Sequence, residues 1–414
     1  MPRALLLENI HPLAAERLRG AGFEVETRKG ALTEAELADA LTGVSLLGIR
    51  SQTQLTAKAL EAADDLLAVG AFCIGTNQID LAEASSRGVA VFNAPFSNTR
   101  SVVELALAEV IALTRRLPVK DKALHAGTWA KSAEGAHEVR GRTLGIVGYG
   151  NIGSQLSVLA ESLGMRVLFY DVRDRLALGN ARRVPTLSEL LGQSDVVTLH
   201  VDGRSGNRDL FGAAEFAAMK PGAIFLNLSR GFVVDHDSLR EHLESGHLAG
   251  AAIDVFPTEP KGNGAAFESV LRGLDNVILT PHIGGSTEEA QEDIGRFVSG
   301  KLADYVGQGT SSLSVNFPTL DLPEFPYGAA PAPATAGAPA PREHRVAHLH
   351  ENAPGVLAAL TSVLATAGVN IDGQYLATRG QLGYVVTDVN AVVTDELCAA
   401  LRSLPGTVKV RVLS

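Results

Sequence analysis

The chain has 414 residues, 46% of them hydrophobic, and this length and content suit two or three domains with packed cores. Its formal net charge of −10 argues against nucleic acid or an anionic membrane as the main partner, because both require a basic face. Two distant cysteines, no signal-peptide pattern and no run of about 18 apolar residues argue against a disulfide framework, a metal site and a membrane span, and favour a cytoplasmic location.

Residues 1–95 alternate short β-rich runs with helical patterns, which predicts an open parallel sheet with helices on both faces. Ligands of such sheets bind at the carboxyl ends of the strands. Two of these ends, residues 48–53 and 70–77, combine glycines with polar groups. Arg50 is therefore a candidate contact for an anion, and an ordinary surface arginine is the alternative. A Ser/Asn/Thr cluster then precedes a long helix predicted over residues 100–117.

Residues 143–171 read as a strand, a glycine turn, a helix and a second strand. Gly148, Gly150 and Gly153 have the spacing G-x-G-x-x-G at the start of the helix. That spacing provides a tight turn, close approach to a pyrophosphate and close packing of helix on strand. Asp171 ends the second strand, where a carboxylate can bond both hydroxyls of an adenosine ribose and repel a 2′-phosphate. The pattern predicts a Rossmann domain that binds NAD.

After this motif, strand and helix patterns alternate as far as residue 279, which gives six or so strands for the dinucleotide domain. An amphipathic pattern over residues 287–305 is long enough to return to the first domain. Residues 326–341 are nearly all Pro, Ala and Gly and read as an extended spacer. The tail from residue 343 has the order βαββαβ, which predicts a ferredoxin-like domain.

Three polar residues follow predicted strands of the dinucleotide domain, namely Arg230, Glu259 and His282. Oxidation of an alcohol by NAD releases a proton, and a histidine titrates in the range needed to accept it. Glu259 would orient the ring of His282 and raise its pKa, and Arg230 offers a planar fork to a substrate carboxylate. Each residue alone has an ordinary alternative, as a loop cap, a surface glutamate or a buried histidine. Because they follow an NAD-binding motif in the same chain, the three residues together favour a dehydrogenase.

Residues 1–310 resemble the D-isomer-specific 2-hydroxyacid dehydrogenase family in the segments GYGNIGSQL, NLSRG, AAIDVFPTEP and LTPHIGGST. FCIGTNQIDL, FNAPFSNTRSV, a W-x-K motif and the small C-terminal domain are similar to those members that oxidise 3-phospho-D-glycerate to 3-phosphohydroxypyruvate, the first step of serine biosynthesis. The resemblance implies catalytic roles for Arg230, Glu259 and His282, a homotetramer, and reduction of 2-oxoglutarate as a second activity. Another D-2-hydroxy acid as substrate, or a non-catalytic nicotinamide-sensing protein, are the alternatives.

The resemblance also assigns binding residues. Expected cofactor contacts lie in the glycine turn, after two further strands and in the loop that follows the histidine: Gly148, Gly150, Asn151, Ile152, Gly153, Asp171, Leu228, Ser229, Arg230, Asp254, His282, Ile283, Gly284 and Gly285. Expected substrate contacts are Arg50, Ser51, Gly75, Asn98, Trp129 and Lys131. The resemblance places the last two in a neighbouring subunit's cleft. Gln52 stands where bacterial relatives usually carry a second arginine, which weakens phosphate recognition.

The tail resembles an ACT domain, a module that pairs through its sheet and binds amino acids at the joint. In that family, the segments that match His350, Asn352 and Asn370 hold the inhibitor serine. The alternative is that these residues only stabilise local turns and helix caps. The predicted architecture is therefore two doubly wound α/β domains followed by an ACT domain. Its parts are a flavodoxin-like substrate-binding domain (residues 1–97 and 286–314), a Rossmann NAD-binding domain (98–285), a linker (315–342) and the ACT domain (343–414).

Overall fold

The structure is a computed structural model that describes residues 1–260, 264–323 and 344–413. The chain divides into two compact units, Met1–Pro95 with Glu292–Ser414 and Phe96–Gln291. The sequence analysis predicted these domain boundaries after residues 97 and 285. Among the helices in the described ranges, none is both long and apolar enough to cross a lipid bilayer.

The first unit contains a five-stranded parallel sheet. Its strands are β1 (Arg3–Leu6), β2 (Glu24–Thr27), β3 (Val44–Ile49), β4 (Ala68–Ala71) and β5 (Ala90–Asn93), and its helices are α1 (Pro12–Gly20), α2 (Glu34–Ala40), α3 (Ala57–Glu61) and α4 (Leu81–Ser86). The order β2-β1-β3-β4-β5 is flavodoxin-like, as expected. Strands β3, β4 and β5 are almost entirely buried, because a parallel sheet covered on both faces needs apolar side chains on both.

The second unit is a seven-stranded parallel sheet with helices. Its strands are β6 (Thr143–Val147), β7 (Arg166–Tyr170), β8 (Arg182–Arg183), β9 (Val196–Leu199), β10 (Ala223–Asn227), β11 (Leu248–Ile253) and β12 (Val277–Leu279). Its helices are α5 (Thr99–Thr114), α6 (Leu117–His125), α7 (Asn151–Ser162), α8 (Leu187–Gln193), α9 (Ala213–Ala218) and α10 (His236–Glu244). The order β12-β11-β10-β9-β6-β7-β8 confirms the Rossmann prediction. Strands β6 and β9 are neighbours where the order reverses, and ligands bind such sheets at that point.

The predicted helix over residues 100–117 is interrupted in the structure. Helix α5 ends at Thr114, and Arg116 has a left-handed backbone with φ of 54°. Pro118 then lies in the first turn of α6. The proline explains the break, because its ring and missing N–H are tolerated in a first turn and not in a helix interior.

The C-terminal part of the first unit is an antiparallel sheet with two helices. Helix α11 (Glu288–Gln308) precedes β13 (His344–Glu351), α12 (Val356–Thr366), β14 (Ile371–Arg379), β15 (Leu382–Val389), α13 (Asp395–Arg402) and β16 (Thr407–Leu413). The sheet order is β14-β15-β13-β16, which confirms the ferredoxin-like prediction.

One face of this antiparallel sheet shares a core with the rest of the first unit. Ala347 and Tyr384 pack in one cluster with Tyr305 and Phe317, and the hydroxyl of Tyr384 donates to the carbonyl of Gly309 at 2.7 Å. The linker was predicted to begin at residue 315, but Phe317 is fully buried, so the packed chain continues beyond that point. The predicted Pro/Ala spacer at residues 326–341 lies outside the described residues.

Candidate active site

The glycine turn after β6 has the geometry that its spacing predicts. Gly148 has a φ of 92°, and a Cβ there would lie 2.6 Å from the carbonyl oxygen of His200. A Cβ on Gly153 would lie 2.4 Å from the oxygen of Gly148, so helix α7 can approach β6 only without a side chain at this position. A Cβ on Gly150 would meet nothing within 4 Å, and no side chain caps α7. The open N-terminus of α7 therefore fits a dinucleotide pyrophosphate.

Asp171 follows β7 and is tied to the glycine turn. Its Oδ2 accepts from the amide of Tyr149 at 2.8 Å, and its Oδ1 accepts from the amide of Arg173 at the same distance. Only 10% of the side chain is exposed. The fixed carboxylate lies beside the turn, where the ribose of a bound adenosine is expected.

Arg230 lies in the loop after β10, which is held by its own side chains. Asn227 accepts from the amide and the hydroxyl of Ser229, and it donates to the carbonyl of Arg230 at 3.1 Å. Gly231 brings this loop against another loop, because a Cβ on Gly231 would lie 1.9 Å from the carbonyl carbon of Phe256. The sequence analysis assigned no role to Gly231, although this glycine ends the NLSRG segment.

His282 and Glu259 form a direct pair. Nδ1 of His282 lies 2.9 Å from Oε2 of Glu259, and Oε1 of Glu259 also accepts from the amide of Phe256 at 3.1 Å. The hydrogen bond to Glu259 is the main reason that the pKa of His282 is raised, against the effect of burial. Burial raises the pKa of Glu259, but the hydrogen bond from His282 and the charges of His282 and Arg230 outweigh it and lower that pKa. The three predicted catalytic side chains therefore lie within electrostatic reach of each other.

Asp254 organises the loop that carries His282. It is 2% exposed and accepts hydrogen bonds from the hydroxyl of Thr280 and from the amides of Ile283 and Gly284, at 2.6 to 2.9 Å. These bonds hold His282 in a left-handed backbone conformation with φ of 53°, which few residues other than glycine adopt. A histidine held in this conformation by its surroundings is the kind of strain that functional sites contain.

Comparison with known proteins agrees with this geometry. Residues 107–284 match the NAD-binding domain of D-isomer-specific 2-hydroxyacid dehydrogenases, and residues 346–409 match an ACT domain like that of the AHAS small subunit. The chain is 50% identical over 412 residues to D-3-phosphoglycerate dehydrogenase of Escherichia coli K12, covering 99% of this chain and 97% of that protein. The chain belongs to the D-isomer-specific 2-hydroxyacid dehydrogenase family.

Solved members of the family have the same fold. A D-lactate dehydrogenase from Aquifex aeolicus, complexed with NAD and lactic acid, matches with a TM-score of 0.64 at 27% identity. The match covers 74% of this chain and 96% of that protein. An NADPH-dependent glyoxylate/hydroxypyruvate reductase from Sinorhizobium meliloti matches with a TM-score of 0.65 at 28% identity. The match covers 76% of this chain and 96% of that protein. The match to the family's NAD-binding domain and the identity to D-3-phosphoglycerate dehydrogenase show that this chain is an NAD-dependent oxidoreductase.

The other predicted cofactor residues of the dehydrogenase lie in the second unit. Asn151 and Ile152 begin α7, Leu228 and Ser229 are buried at the end of β10, and Ile283 is 41% exposed. A Cβ on Gly285 would lie 2.3 Å from Nδ2 of Asn98, so this glycine allows the loop to contact the start of α5. Their individual contacts with NAD remain predictions.

Three of the predicted substrate residues lie in the first unit. Arg50 and Ser51 directly follow β3, and Gly75 follows β4, so both segments are at the carboxyl ends of neighbouring strands. Two residues that the sequence analysis missed shape these loops. Glu8 accepts from the amide of Thr53 at 2.8 Å, and Gln78 donates to the carbonyls of Arg50 and Gly75.

The other three predicted substrate residues lie in the second unit. Asn98 is at the start of α5, and Trp129 and Lys131 are in the irregular segment after α6. Trp129 is 79% exposed. An aromatic side chain left this exposed is consistent with a contact outside its own chain, and the predicted role at a neighbouring subunit stays a prediction.

The residues predicted to bind the inhibitor serine lie at two ends of the ACT sheet. His350 pairs with Gly383 near one end, and Asn352 donates to the carbonyl of Gly380 there at 3.1 Å. Asn370 directly precedes Ile371, the first residue of β14. Ile371 pairs with Val389 of β15, which also pairs with His344 at the other end of β13. Six residues of antiparallel strand separate the two ends, a distance of about 20 Å. The structure therefore does not bring Asn370 to His350 and Asn352 within one chain.

Proposed function

We propose that this enzyme oxidises 3-phospho-D-glycerate to 3-phosphohydroxypyruvate with NAD, as the first step of serine biosynthesis. The proposal is supported by relatives of that name at 50% identity over almost the whole chain. The observation that carries the chemistry is the pair of His282 and Glu259, with Nδ1 of the ring 2.9 Å from the carboxylate.

His282 is proposed as the general base. Because Nδ1 is held by Glu259, Nε2 is the nitrogen that accepts the proton of the substrate hydroxyl. The nicotinamide, when bound, supplies the acceptor for the hydride. Arg230 binds the substrate carboxylate through its planar guanidinium and stabilises charge on the oxygen that becomes a carbonyl.

The test is NADH formation from 3-phospho-D-glycerate by the purified protein, compared between wild type, His282→Ala and His125→Ala. His125 is a matched control, since it lies in the same unit with a side chain that is 83% exposed. We expect turnover in wild type and His125→Ala and almost none in His282→Ala. Equal turnover in all three would contradict the proposed base.

A second substrate class is favoured by one residue. Gln52 is exposed beside Arg50, and its uncharged side chain offers less attraction to a phosphate than an arginine would. In this alternative, the substrate is a different D-2-hydroxy acid, such as glycerate or 2-hydroxyglutarate. Comparing kcat/KM for phosphorylated and unphosphorylated acids, in wild type and Gln52→Arg, separates the two. A wild type indifferent to phosphate supports the second substrate class.

We also propose that L-serine inhibits the enzyme at a site shared by two ACT domains, in a homotetramer. His350 and Asn352 from one chain and Asn370 from another would hold the ligand, because they lie at opposite ends of the sheet in a single chain. We expect His350→Ala to keep turnover and to lose serine sensitivity. An inhibition curve identical to that of wild type would reject the assigned residues.

A further inference from the structure

Glu8 lies just after β1 and holds the loop that follows β3. Its Oε2 accepts from the amide of Gln52 at 3.0 Å, and its Oε1 accepts from the amide of Thr53 at 2.8 Å. Strands β1 and β3 are neighbours in the parallel sheet, so a side chain at the carboxyl end of β1 can reach this loop. Both oxygens of one carboxylate therefore fix two successive amides in the loop that begins with Arg50 and Ser51.

The burial and the backbone of Glu8 are both costly for the fold. The residue is 7% exposed, and a buried carboxylate is stable only when it is hydrogen-bonded. Its φ of 61° is left-handed, which few residues other than glycine adopt. Among the described residues, the carboxylate bonds only to the two loop amides. Strain and a buried charge thus both serve the conformation of this loop, and such strain is typical of functional sites.

Gln78 connects the same loop to the loop that follows β4. It is 4% exposed, and its Nε2 donates to the carbonyl of Arg50 at 2.5 Å and to that of Gly75 at 3.3 Å. A side-chain amide has two N–H donors, which suffice for these two carbonyls. The backbone carbonyl of Gln78 accepts from the amide of Leu55 at 2.8 Å, so Gln78 is itself held in place. One buried side chain therefore sets the spacing of two neighbouring loops.

We propose that Glu8 and Gln78, which we call the loop brace, are positioning residues for the hydroxy-acid substrate. The brace fixes the backbone of both loops before the substrate arrives, so that no binding free energy is needed to order them. It acts through the backbone and takes no part in proton or hydride transfer. This inference rests on the proposed substrate contacts at Arg50, Ser51 and Gly75, and it does not depend on which hydroxy acid they bind.

The test compares steady-state NADH formation by wild type, Glu8→Gln and Gln78→Met. Glutamine at residue 8 keeps the size and one carbonyl oxygen, so it can bond to only one of the two amides. Methionine at residue 78 keeps the length and removes both donors. We expect KM for the hydroxy acid to rise about tenfold in Glu8→Gln and about fivefold in Gln78→Met, because the binding-competent loops are less populated. kcat and KM for NAD should stay within about twofold, since ground-state and transition-state binding of the acid weaken equally.

Two exposed residues of the same unit provide matched controls. Gln54 follows the loop and donates to the carbonyl of Gln52 at 3.3 Å, and Glu26, on β2, is 43% exposed. Gln54→Met and Glu26→Gln should each change KM by less than about twofold. Amide hydrogen exchange without substrate reports on the brace directly. The amides of Gln52 and Thr53 should exchange faster in Glu8→Gln than in wild type.

Two results would overturn the proposal. One is faster exchange at the loop amides with KM for the acid unchanged, because the loop position would then not govern substrate binding. The other is a lower kcat with unchanged KM and a lower midpoint of thermal unfolding in both brace variants, which would give the brace a purely structural role. The assay uses whichever D-2-hydroxy acid wild type oxidises. A wild type that oxidises only an unphosphorylated acid contradicts the proposed reaction, and KM for that acid still tests the brace.

Discussion

The predicted catalytic and regulatory residues of this protein differ in how a single chain assembles them. Arg230, Glu259 and His282 come from separate segments and lie in electrostatic reach of each other within the second unit. His350 and Asn370 are only 20 residues apart in the chain and yet lie at opposite ends of one sheet. Nearness in sequence is therefore a poor guide to a shared site.

The difference follows from sheet topology. In a parallel sheet, every strand ends at the same edge, so residues that follow different strands converge. In the ACT sheet, β13 and β14 both run antiparallel to β15 and therefore run in the same direction. His350 lies near the end of β13 and Asn370 lies just before the start of β14, so the two residues are at opposite ends of the sheet. A ligand that contacts both sets of ACT residues would have to lie between two chains.

The strongest test of this comparison mixes subunits with damaged catalytic pairs. His282→Ala and Glu259→Ala should each lose activity, by about 1000-fold for His282→Ala, and co-expressed mixed oligomers should recover none of it. Each active site would need both side chains from one chain. NADH formation by the purified mixture provides the measurement, and recovery well above the level of either variant would show that the pair is shared between subunits.

Gly231→Ala tests whether the two loops of the catalytic unit need their close approach. The new Cβ would lie 1.9 Å from the carbonyl carbon of Phe256, so the loops of Arg230 and Glu259 must separate. We expect a loss of about 3 kcal/mol in the free energy of unfolding, together with lower kcat/KM.

Gly192→Ala is the matched control for that substitution. Gly192 lies in α8, where a Cβ would meet nothing within 4 Å. Alanine there should leave stability unchanged or raise it by about 0.5–1 kcal/mol. Chemical denaturation of the two variants gives both numbers, and an equal response would mean that the loop contact has no special role.

Glu259→Gln tests the electrostatic part of the pair. The hydrogen bond to Glu259 is the main cause of the raised pKa of His282, so a neutral partner should lower that pKa. Oxidation needs the neutral imidazole, so kcat/KM rises as the pH passes above this pKa. In Glu259→Gln the rising limb should move to lower pH, with a maximum about tenfold lower. If the rising limb of the kcat/KM profile stays at the same pH in Glu259→Gln, the group that titrates is not His282.

The smallest expected effect is a partial recovery of regulation. His350→Ala and Asn370→Ala should each lose inhibition by serine. In a mixed pair of these chains, one shared site carries both changes and the other carries neither, so about half of the serine sites should be restored. Serine titration of the mixed oligomer measures this. Absence of any inhibition would place each site within one chain, contrary to the opposite ends seen in the sheet.

Local patterns determined a large part of this protein from its sequence. The alternation of strands and helices, the G-x-G-x-x-G turn and the ferredoxin-like order of the tail depend on residues close together in the chain, and the structure has all three. The break at Arg116 shows the limit of periodicity, since apolar spacing continues through a proline that a helix interior cannot accept.

Only the tertiary structure decided which distant groups meet. The three hydrogen bonds of Asp254 and the contact of Gly231 with Phe256 depend on strand order, on loop paths and on backbone angles. The separation of His350 from Asn370 depends on strand direction and register. A single sequence holds no periodic signal for such contacts, because the residues involved belong to different elements and no spacing relates them.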